Sequence, residues 1–195
     1  ADLGTVMGNV YHTKEEMIDC VNAFYEGMVQ RSEEMKRHPN YKTGENYAYL
    51  GLPPCFLIFD EYVAFFEMLG TKESVGLLSQ LKKIVMLGRQ AGYFLIVACQ
   101  RPDAKYFSDG IRDNFNFRVG LGRISELGYG MLFGSDVKKQ FFQKRIKGRG
   151  YCDVGTSVIS EFYTPLVPKG HDFLQTIGRL AQERQVMPEQ QGKEN

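Results

Sequence analysis

The segment Phe56-Leu57-Ile58-Phe59-Asp60-Glu61 consists of four large apolar residues followed by two adjacent carboxylates. An apolar run of this length, opened by Pro53-Pro54-Cys55, predicts a central parallel strand covered on both faces. Carboxylates are rarely buried without a partner, so the C-terminal end of such a strand requires one. A hydrated Mg²⁺ would supply it, with Asp60 holding the ion through its waters and Glu61 polarising an attacking water. The alternative is that Asp60 caps the next helix and Glu61 faces solvent.

A second strand is expected to end beside these carboxylates. Helical periodicity over residues 74–90 is followed by an apolar run over 93–99, and strand–helix–strand order implies a right-handed crossover between parallel neighbours. The C-terminal ends of parallel neighbours open on one crevice. Gln100 would therefore stand beside Asp60 and Glu61, where its amide can contact both a γ-phosphate and the attacking water. The alternative is a hydrogen bond from Gln100 to the following turn.

Patterning elsewhere completes an α/β prediction. Thr13 and Glu16 form a capping-box pattern ahead of a long helix over residues 14–37. A short third strand is predicted over 117–121, and a hairpin over 151–163 precedes a last helix from about His171. These elements predict a mainly parallel sheet with flanking helices and a C-terminal hairpin.

Length and charge limit the domain organisation. With 195 residues and 43% hydrophobic content, the chain can bury the core of one domain. We expect that domain over residues 1–180, and a disordered tail rich in Gln, Glu and Lys over 181–195. The net charge of +1 creates no global field for a polyanion, so any nucleic-acid site must be a local patch.

The cysteines and the chain ends suggest a compartment and an origin. Four cysteines lie far apart without a CxxC pair, which argues against a zinc site and a disulfide framework. No apolar run approaches the ~20 residues that span a bilayer, and no signal peptide is present. We therefore expect a reduced, soluble, cytoplasmic polypeptide. Because it opens with Ala1-Asp2-Leu3-Gly4 and lacks an initiator methionine, we expect it to be part of a longer protein.

Five short motifs occur in order along the chain: Phe56–Glu61, Gly88-Arg89-Gln90-Ala91-Gly92, Val97-Ala98-Cys99-Gln100-Arg101-Pro102, Asn114-Phe115-Asn116-Phe117-Arg118 and Gly148-Arg149-Gly150. In this order and spacing they resemble the FtsK/SpoIIIE family of DNA-pumping ATPases. The resemblance extends from Asp2 to about Tyr163. Within the family, the chain looks most like the coupling ATPases of Gram-positive conjugative elements, as in residues 106–110 and 154–157.

The resemblance implies a RecA-like P-loop NTPase three-layer sandwich that is incomplete at its N-terminus. These motors need G-x-x-x-x-G-K-[ST], whose backbone N–H groups cradle the phosphates, and this sequence contains no such string. In the family that Walker A loop lies upstream. We therefore expect the chain to carry Walker B alone and to hydrolyse no ATP by itself. We also expect the missing string within about fifty residues upstream, since a strand–loop–helix and one further strand must fit there.

For the parent protein, the resemblance implies a hexameric ring that uses ATP and Mg²⁺ to thread double- or single-stranded DNA in conjugative transfer. Asp60 would coordinate Mg²⁺ through water and also contact the nucleotide, Glu61 would act as general base, and Gln100 would sense the γ-phosphate. A segment absent from this chain would hold the parent at the cytoplasmic side of the membrane. A relaxase or other conjugation proteins would be its partners.

Two arginines are candidates for a contact with the neighbouring subunit's nucleotide, where an Arg offsets charge in the transition state. Arg118 is the first, because it occupies the family's Asn-Phe-x-x-Arg position. Arg31, on the long first helix, is the second candidate for nucleotide contact. The alternative for Arg31 is a solvated helix face.

A basic segment is the candidate DNA interface. It could track phosphates inside a ring, although a solvated surface or a contact between subunits explains it equally well. Its residues are Lys138, Lys139, Lys144, Arg145 and Lys147.

Two other functions fit the same sequence. One is a non-catalytic docking module of this fold that recruits a relaxase or a secretion apparatus. The other is an unrelated nucleotide-binding enzyme such as a small kinase, which would have a second substrate pocket and no response to DNA.

Overall fold

The computed structural model describes residues 2–102, 105–107, 109–137, 139–142, 146–156 and 158–186. Its helices and strands follow one another in the chain order given by this list: α1 Lys14–Arg37, β1 Cys55–Phe59, α2 Tyr62–Glu67, α3 Thr71–Ala91, β2 Tyr93–Val97, α4 Asp109–Arg112, β3 Arg118–Leu121, α5 Glu126–Phe133, β4 Arg149–Asp153, β5 Ile159–Tyr163 and α6 Phe173–Val186. Short 3₁₀ turns lie at Asp2–Thr5 and Tyr47–Leu50.

Helix α1 begins where the capping box predicts. The Thr13 hydroxyl accepts from the Glu16 backbone N–H at 3.3 Å, and the Glu16 carboxylate accepts from the Thr13 N–H at 3.2 Å. Two N–H groups that have no partner inside the helix are thereby satisfied. The helix buries Val21, Met28 and Met35 at seven-residue spacing, so a single stripe faces the core.

Strands β1 and β2 pair in parallel, from Cys55 opposite Tyr93 to Phe59 opposite Val97. Helix α3 makes the crossover between them and packs with α1 on one face of the pair. The return from α3 to β2 is tight: a Cβ at Gly88 would lie 2.2 Å from the Tyr93 carbonyl oxygen. Gly92 ends the helix in the left-handed conformation, with φ of 77°, which only glycine adopts cheaply.

The other three strands form a second, antiparallel sheet in the order β3-β4-β5. The strand that begins at Arg118 was expected in a mainly parallel sheet, but it pairs with the hairpin instead, with Arg118 opposite Asp153. This pairing requires glycine at position 150, because a Cβ there would lie 1.8 Å from the carbonyl oxygen of Gly120. The predicted α/β class, the parallel pair and the C-terminal hairpin are confirmed.

The last helix extends into the range 181–195, which was predicted to be a disordered tail. Helix α6 continues to Val186, so the first six residues of the predicted tail are helical, and residues 187–195 lie outside the described part. Within the described residues, the helices are all too short or too polar to serve as a membrane span.

Candidate functional site

Asp60 and Glu61 lie in a short bulge that follows β1. Ala98, the first residue after β2, fixes this bulge through two backbone hydrogen bonds. The Ala98 backbone N–H donates to the carbonyl oxygen of Phe59 at 2.8 Å. The carbonyl oxygen of Ala98 accepts from the N–H of Tyr62 at 3.0 Å. Asp60 and Glu61 are the two residues between these anchors. Their position is therefore fixed relative to the strand that ends at Gln100.

Glu61 has a conformation that a residue with a side chain seldom adopts. Its φ is 51° and its ψ 46°, and it is the only residue other than glycine with a positive φ in the described part of the chain. The left-handed region costs about 1–2 kcal/mol for an L-residue. Glu61 also stands at the N-cap of α2 without a side-chain capping bond. Strain of this kind is commonly retained at functional sites.

Asp60 and Gln100 both contact Glu61. Asp60 Oδ1 accepts from the Glu61 backbone N–H at 3.1 Å. Gln100 Nε2 donates to Glu61 Oε1 at 3.2 Å. The sequence predicted that Asp60, Glu61 and Gln100 lie together at one sheet edge, and these contacts place them there. All three residues are exposed to solvent. Asp60 makes no capping bond to α2, because the N–H that it accepts from belongs to the N-cap residue Glu61 itself and α2 has no side-chain capping bond.

A hydrophobic floor lies beneath this edge. Tyr62 is 1% exposed and packs against Phe59, Phe66 and Phe107. Burial, and to a lesser extent the charge of Glu61, raises the pKa of the Cys99 thiol. An apolar floor lowers the local dielectric, which strengthens the interactions of any charge placed above it.

The donor set at this edge fits an ion held mainly by water and phosphate. Among the described residues, there is no group of three or more His, Cys, Asp and Glu side chains that could hold a metal. Mg²⁺ usually keeps several waters and takes only one or two carboxylates from the protein. Exposed Asp60, beside Glu61 and Gln100, meets that requirement and leaves the remaining positions to solvent or substrate.

Arg118 is occupied within its own subunit. Its Nη2 lies 2.5 Å from Asp153 Oδ2, and its Nη1 donates to the Leu132 carbonyl oxygen at 3.2 Å. The Arg118 side chain is 18% exposed and that of Asp153 5%. A contact across subunits stays a prediction, and it would compete with this buried pair.

Arg31 lies at the opposite end of β1 from Asp60. Its Nη1 donates to the Pro53 carbonyl oxygen at 2.7 Å, and its guanidinium lies 4.8 Å from the centre of the Tyr93 ring. These contacts hold the residues just before β1 against α1. Within one subunit, Arg31 therefore does not share a site with Asp60, and its role toward a neighbour's nucleotide stays a prediction.

The basic segment is only partly described. Lys139 donates to the carbonyl oxygen of Ile159 and lies 5.4 Å above the Tyr151 ring, so it is tied to the hairpin. Lys147 is exposed. Lys138, Lys144 and Arg145 lie outside the described residues. DNA contact by this segment stays a prediction.

Sequence reasoning missed two residues that organise these sites. Ala98 acts through its backbone, and nothing in the identity of an alanine signals such a role. Asp153 is the partner of Arg118. No sequence signal identifies it, because the turn at Gly155 sets the register of β4 against β5, whereas Asp153 meets Arg118 through the pairing of β4 with β3.

Comparison with known proteins gives one curated relative at high similarity. The chain is 56% identical over 178 residues, 91% of its length, to the FtsK domain-containing protein YdcQ of Bacillus subtilis strain 168. It spans 37% of the length of YdcQ. No family model matches the chain.

Solved structures share the fold at low identity. Three of them are the cytoplasmic domain of the type VII secretion ATPase EccC of Thermomonospora curvata, the pCW3 conjugation coupling protein TcpA with ATPγS, and ATPases 2 and 3 of EssC from Geobacillus thermodenitrificans. Their TM-scores are 0.59, 0.61 and 0.56, at 18%, 18% and 17% identity. The matches cover 88%, 84% and 87% of this chain, and 21%, 49% and 31% of those chains. The shared architecture is that of a RecA-like P-loop ATPase domain, as the sequence predicted.

Proposed function

We propose that this chain, which belongs to the FtsK/SpoIIIE family, is the carboxylate-bearing part of an ATPase motor domain that moves DNA. The observation that supports this most is the hydrogen bond of 3.2 Å from Gln100 to Glu61, beside Asp60, at the C-terminal edge of a parallel strand pair. A general base and a neutral amide that touch each other at such an edge suit the hydrolysis of a phosphoanhydride.

We assign the roles as follows. Asp60 would hold Mg²⁺ through water, and the ion would supply positive charge that offsets the charge on the phosphates. Glu61 accepts the proton of the attacking water. Gln100 lies within reach of the same water and of a terminal phosphate, so it can report whether that phosphate is present.

This chain supplies only part of such a site. It contains no G-x-x-x-x-G-K-[ST] string, so no backbone cradle of that type holds the phosphates. We propose that the 195 residues alone bind nucleotide weakly and hydrolyse none. A phosphate loop on a segment outside this sequence would complete the site.

The proposal also covers the DNA that is moved and the oligomeric assembly that moves it. TcpA is a conjugation coupling protein, and we propose by analogy that the parent of this chain moves DNA, double- or single-stranded, in conjugative transfer. It would work as a hexameric ring, attached to the membrane through a part outside this chain. Exposed Lys147 and the basic residues before it would contact the DNA phosphates. Arg118 and Arg31 would be the candidates for contact between subunits.

The test uses a longer polypeptide, in which the residues of YdcQ that precede its matched segment are joined to the start of this chain. We expect ATP hydrolysis that DNA stimulates. Glu61→Gln should lower kcat by about 100-fold or more, as the loss of a general base does. Gln100→Ala should keep nucleotide binding and lose the stimulation by DNA.

Glu67→Gln is the matched control, because Glu67 is an exposed glutamate in the helix that follows Glu61. It should leave hydrolysis unchanged. A longer polypeptide that binds ATP and hydrolyses none would overturn the motor proposal and favour the docking module. Hydrolysis that survives both Asp60→Ala and Glu61→Gln would place the chemistry elsewhere.

A further inference from the structure

One residue bonds the chain on both sides of Gln100. The Tyr62 backbone N–H donates to the carbonyl oxygen of Ala98, on the N-terminal side of Gln100, at 3.0 Å. The Tyr62 hydroxyl donates to the carbonyl oxygen of Tyr106, on the C-terminal side, at 3.4 Å. Tyr62 also follows Glu61 directly in the chain. It therefore links the segment that carries Gln100 to the residue that Gln100 contacts.

Gln100 lies beyond the paired part of β2 and needs such a support. The parallel pairing ends with Phe59 opposite Val97, and the Ala98 N–H makes the next backbone bond to the β1 side. Gln100 itself is exposed, and its Nε2 lies 3.2 Å from Glu61 Oε1. A long exposed side chain loses much rotamer freedom when it keeps one partner. Fixed points on both sides of Gln100 restrict its backbone and so lower the entropy that this contact costs.

The fixed point after Gln100 lies in an aromatic cluster. Tyr106 is 4% exposed, and its ring lies 5.4 Å from the ring of Phe66 in α2. The ring of Phe107 lies 4.7 Å from that of Tyr62. The hydroxyl bond of Tyr62 is thus enclosed by apolar rings. A hydrogen bond in such surroundings is strengthened, and loss of its donor leaves a buried carbonyl oxygen without this partner.

We propose that Tyr62 is a positioning residue, which holds Gln100 against Glu61 through its hydroxyl bond to Tyr106. Tyr62 is 1% exposed, so it acts through the backbone between Ala98 and Tyr106 and not on a substrate. Groups that carry out chemistry are commonly held in place by buried residues of this kind. The inference rests on the proposed function only in giving Glu61 and Gln100 their catalytic roles.

Tyr62→Phe tests the proposal, because it removes the hydroxyl and keeps the ring against Phe107. The readout is the pair of side-chain amide proton resonances of Gln100 in NMR spectra of the 195-residue chain, since a hydrogen bond to a carboxylate shifts them. Glu61→Ala gives the positions of these resonances without the acceptor. We expect Tyr62→Phe to move them most of the way to those positions. Resonances that stay where they are in the unsubstituted chain would overturn the proposal.

Tyr151→Phe is the matched control. Tyr151 is also 1% exposed, and its hydroxyl accepts from the Phe142 N–H at 3.1 Å in the other core cluster. Each substitution removes a hydroxyl that a buried tyrosine uses to bond the backbone, so the thermal unfolding midpoints should fall by similar amounts. Only Tyr62→Phe should move the Gln100 resonances. Equal movement in both variants would show general loosening, and the proposal would then be wrong.

Phe107→Leu approaches the same link from the other side and decides the matter if Tyr62→Phe does not fold. It removes the ring that lies 4.7 Å from the ring of Tyr62 and leaves α2 unchanged. We expect the Gln100 resonances to move in the same direction as in Glu61→Ala. A folded Phe107→Leu chain with unmoved resonances would contradict the positioning role.

The longer polypeptide with the YdcQ extension separates this inference from the proposed function. Tyr62→Phe should lower kcat by about 10-fold or more and leave KM for ATP unchanged, because misplaced catalytic groups slow the chemical step without weakening substrate binding. Tyr151→Phe should change neither constant. If the longer polypeptide hydrolyses no ATP, the motor proposal fails, and the Gln100 resonances of the short chain still decide this inference. If it hydrolyses ATP and Tyr62→Phe leaves kcat unchanged, this inference fails alone.

Discussion

Arg118 and Asp153 face each other at the end of the β3–β4 ladder and form an ion pair of 2.5 Å with both side chains mostly buried. Asp153 Oδ1 also accepts from the N–H of Gly155 at 2.9 Å, so the pair fixes the hairpin turn as well as the strand. An arginine that acts across subunits would have to leave this arrangement or share it.

Arg118→Ala should destabilise the isolated chain by about 3 kcal/mol, because it leaves the Asp153 carboxylate buried and unpaired. Urea unfolding followed by circular dichroism measures the change. Removing both charges, as in Arg118→Met with Asp153→Leu, should recover much of the stability. If Arg118→Ala leaves the unfolding midpoint unchanged, the pair has little structural role and a contact across subunits becomes the better interpretation.

Gly88 and Gly76 lie on the same helix and should respond oppositely to alanine. A Cβ at Gly88 would meet the Tyr93 carbonyl oxygen at 2.2 Å, whereas no atom lies within 4 Å of a Cβ at Gly76. Gly76→Ala should stabilise the chain by about 0.5–1 kcal/mol through helix propensity. Gly88→Ala should destabilise it by roughly 2 kcal/mol or more, because α3 must move away from β2. Equal thermal unfolding midpoints would refute the close approach.

Thr13→Ala tests the capping box and its dependence on pH. The hydrogen bonds from Thr13, and then that from the His12 N–H, lower the pKa of Glu16 from its ordinary value of 4.5. A carboxyl group whose pKa is lower in the folded state than in the unfolded state stabilises the fold at pH values above its unfolded-state pKa. This stabilisation is lost as the pH falls through the folded-state pKa. Thr13→Ala should therefore lower the unfolding midpoint near neutral pH, and lower it less at about pH 3. Unfolding curves at both pH values provide the measurement.

Cys99 reports on the charge of Glu61. Burial and the Glu61 carboxylate raise the pKa of this thiol, whereas burial alone raises that of Cys20. Glu61→Gln should lower the pKa of Cys99 and speed its alkylation by iodoacetamide at mildly alkaline pH, since the thiolate is the reactive form. Peptide mass spectrometry gives both rates in one sample. The rate at Cys20 should stay constant, and a parallel rise there would indicate general loosening instead.

Most of the fold could be predicted where one physical signal dominates. The capping box located the start of α1 to the residue, and the apolar runs before Asp60 and Gln100 located the parallel pair. The partner of β3 could not be predicted, because it depends on the fit of Gly120 against Gly150, which is a property of two backbones in contact. The positive φ of Glu61 could not be predicted from the sequence for a related reason. It accompanies the backbone hydrogen bonds of Phe59 and Tyr62 to Ala98, and glutamate itself has no preference for this conformation.

Glu61→Gly gives the clearest separation of stability from chemistry. Glycine adopts the left-handed conformation without the cost of about 1–2 kcal/mol that a side chain incurs. Part of this stabilisation is offset, because glycine loses more conformational entropy on folding than other residues do. The isolated chain should therefore become more stable by up to about 1 kcal/mol in urea unfolding. Glu61→Val should become less stable, because a β-branched residue fits this region worst. In the longer polypeptide, Glu61→Gly should lose hydrolysis while it gains stability, since the strained residue is the proposed base. A variant that loses stability instead would show that the bulge between Phe59 and Tyr62 does not hold Glu61 in this conformation.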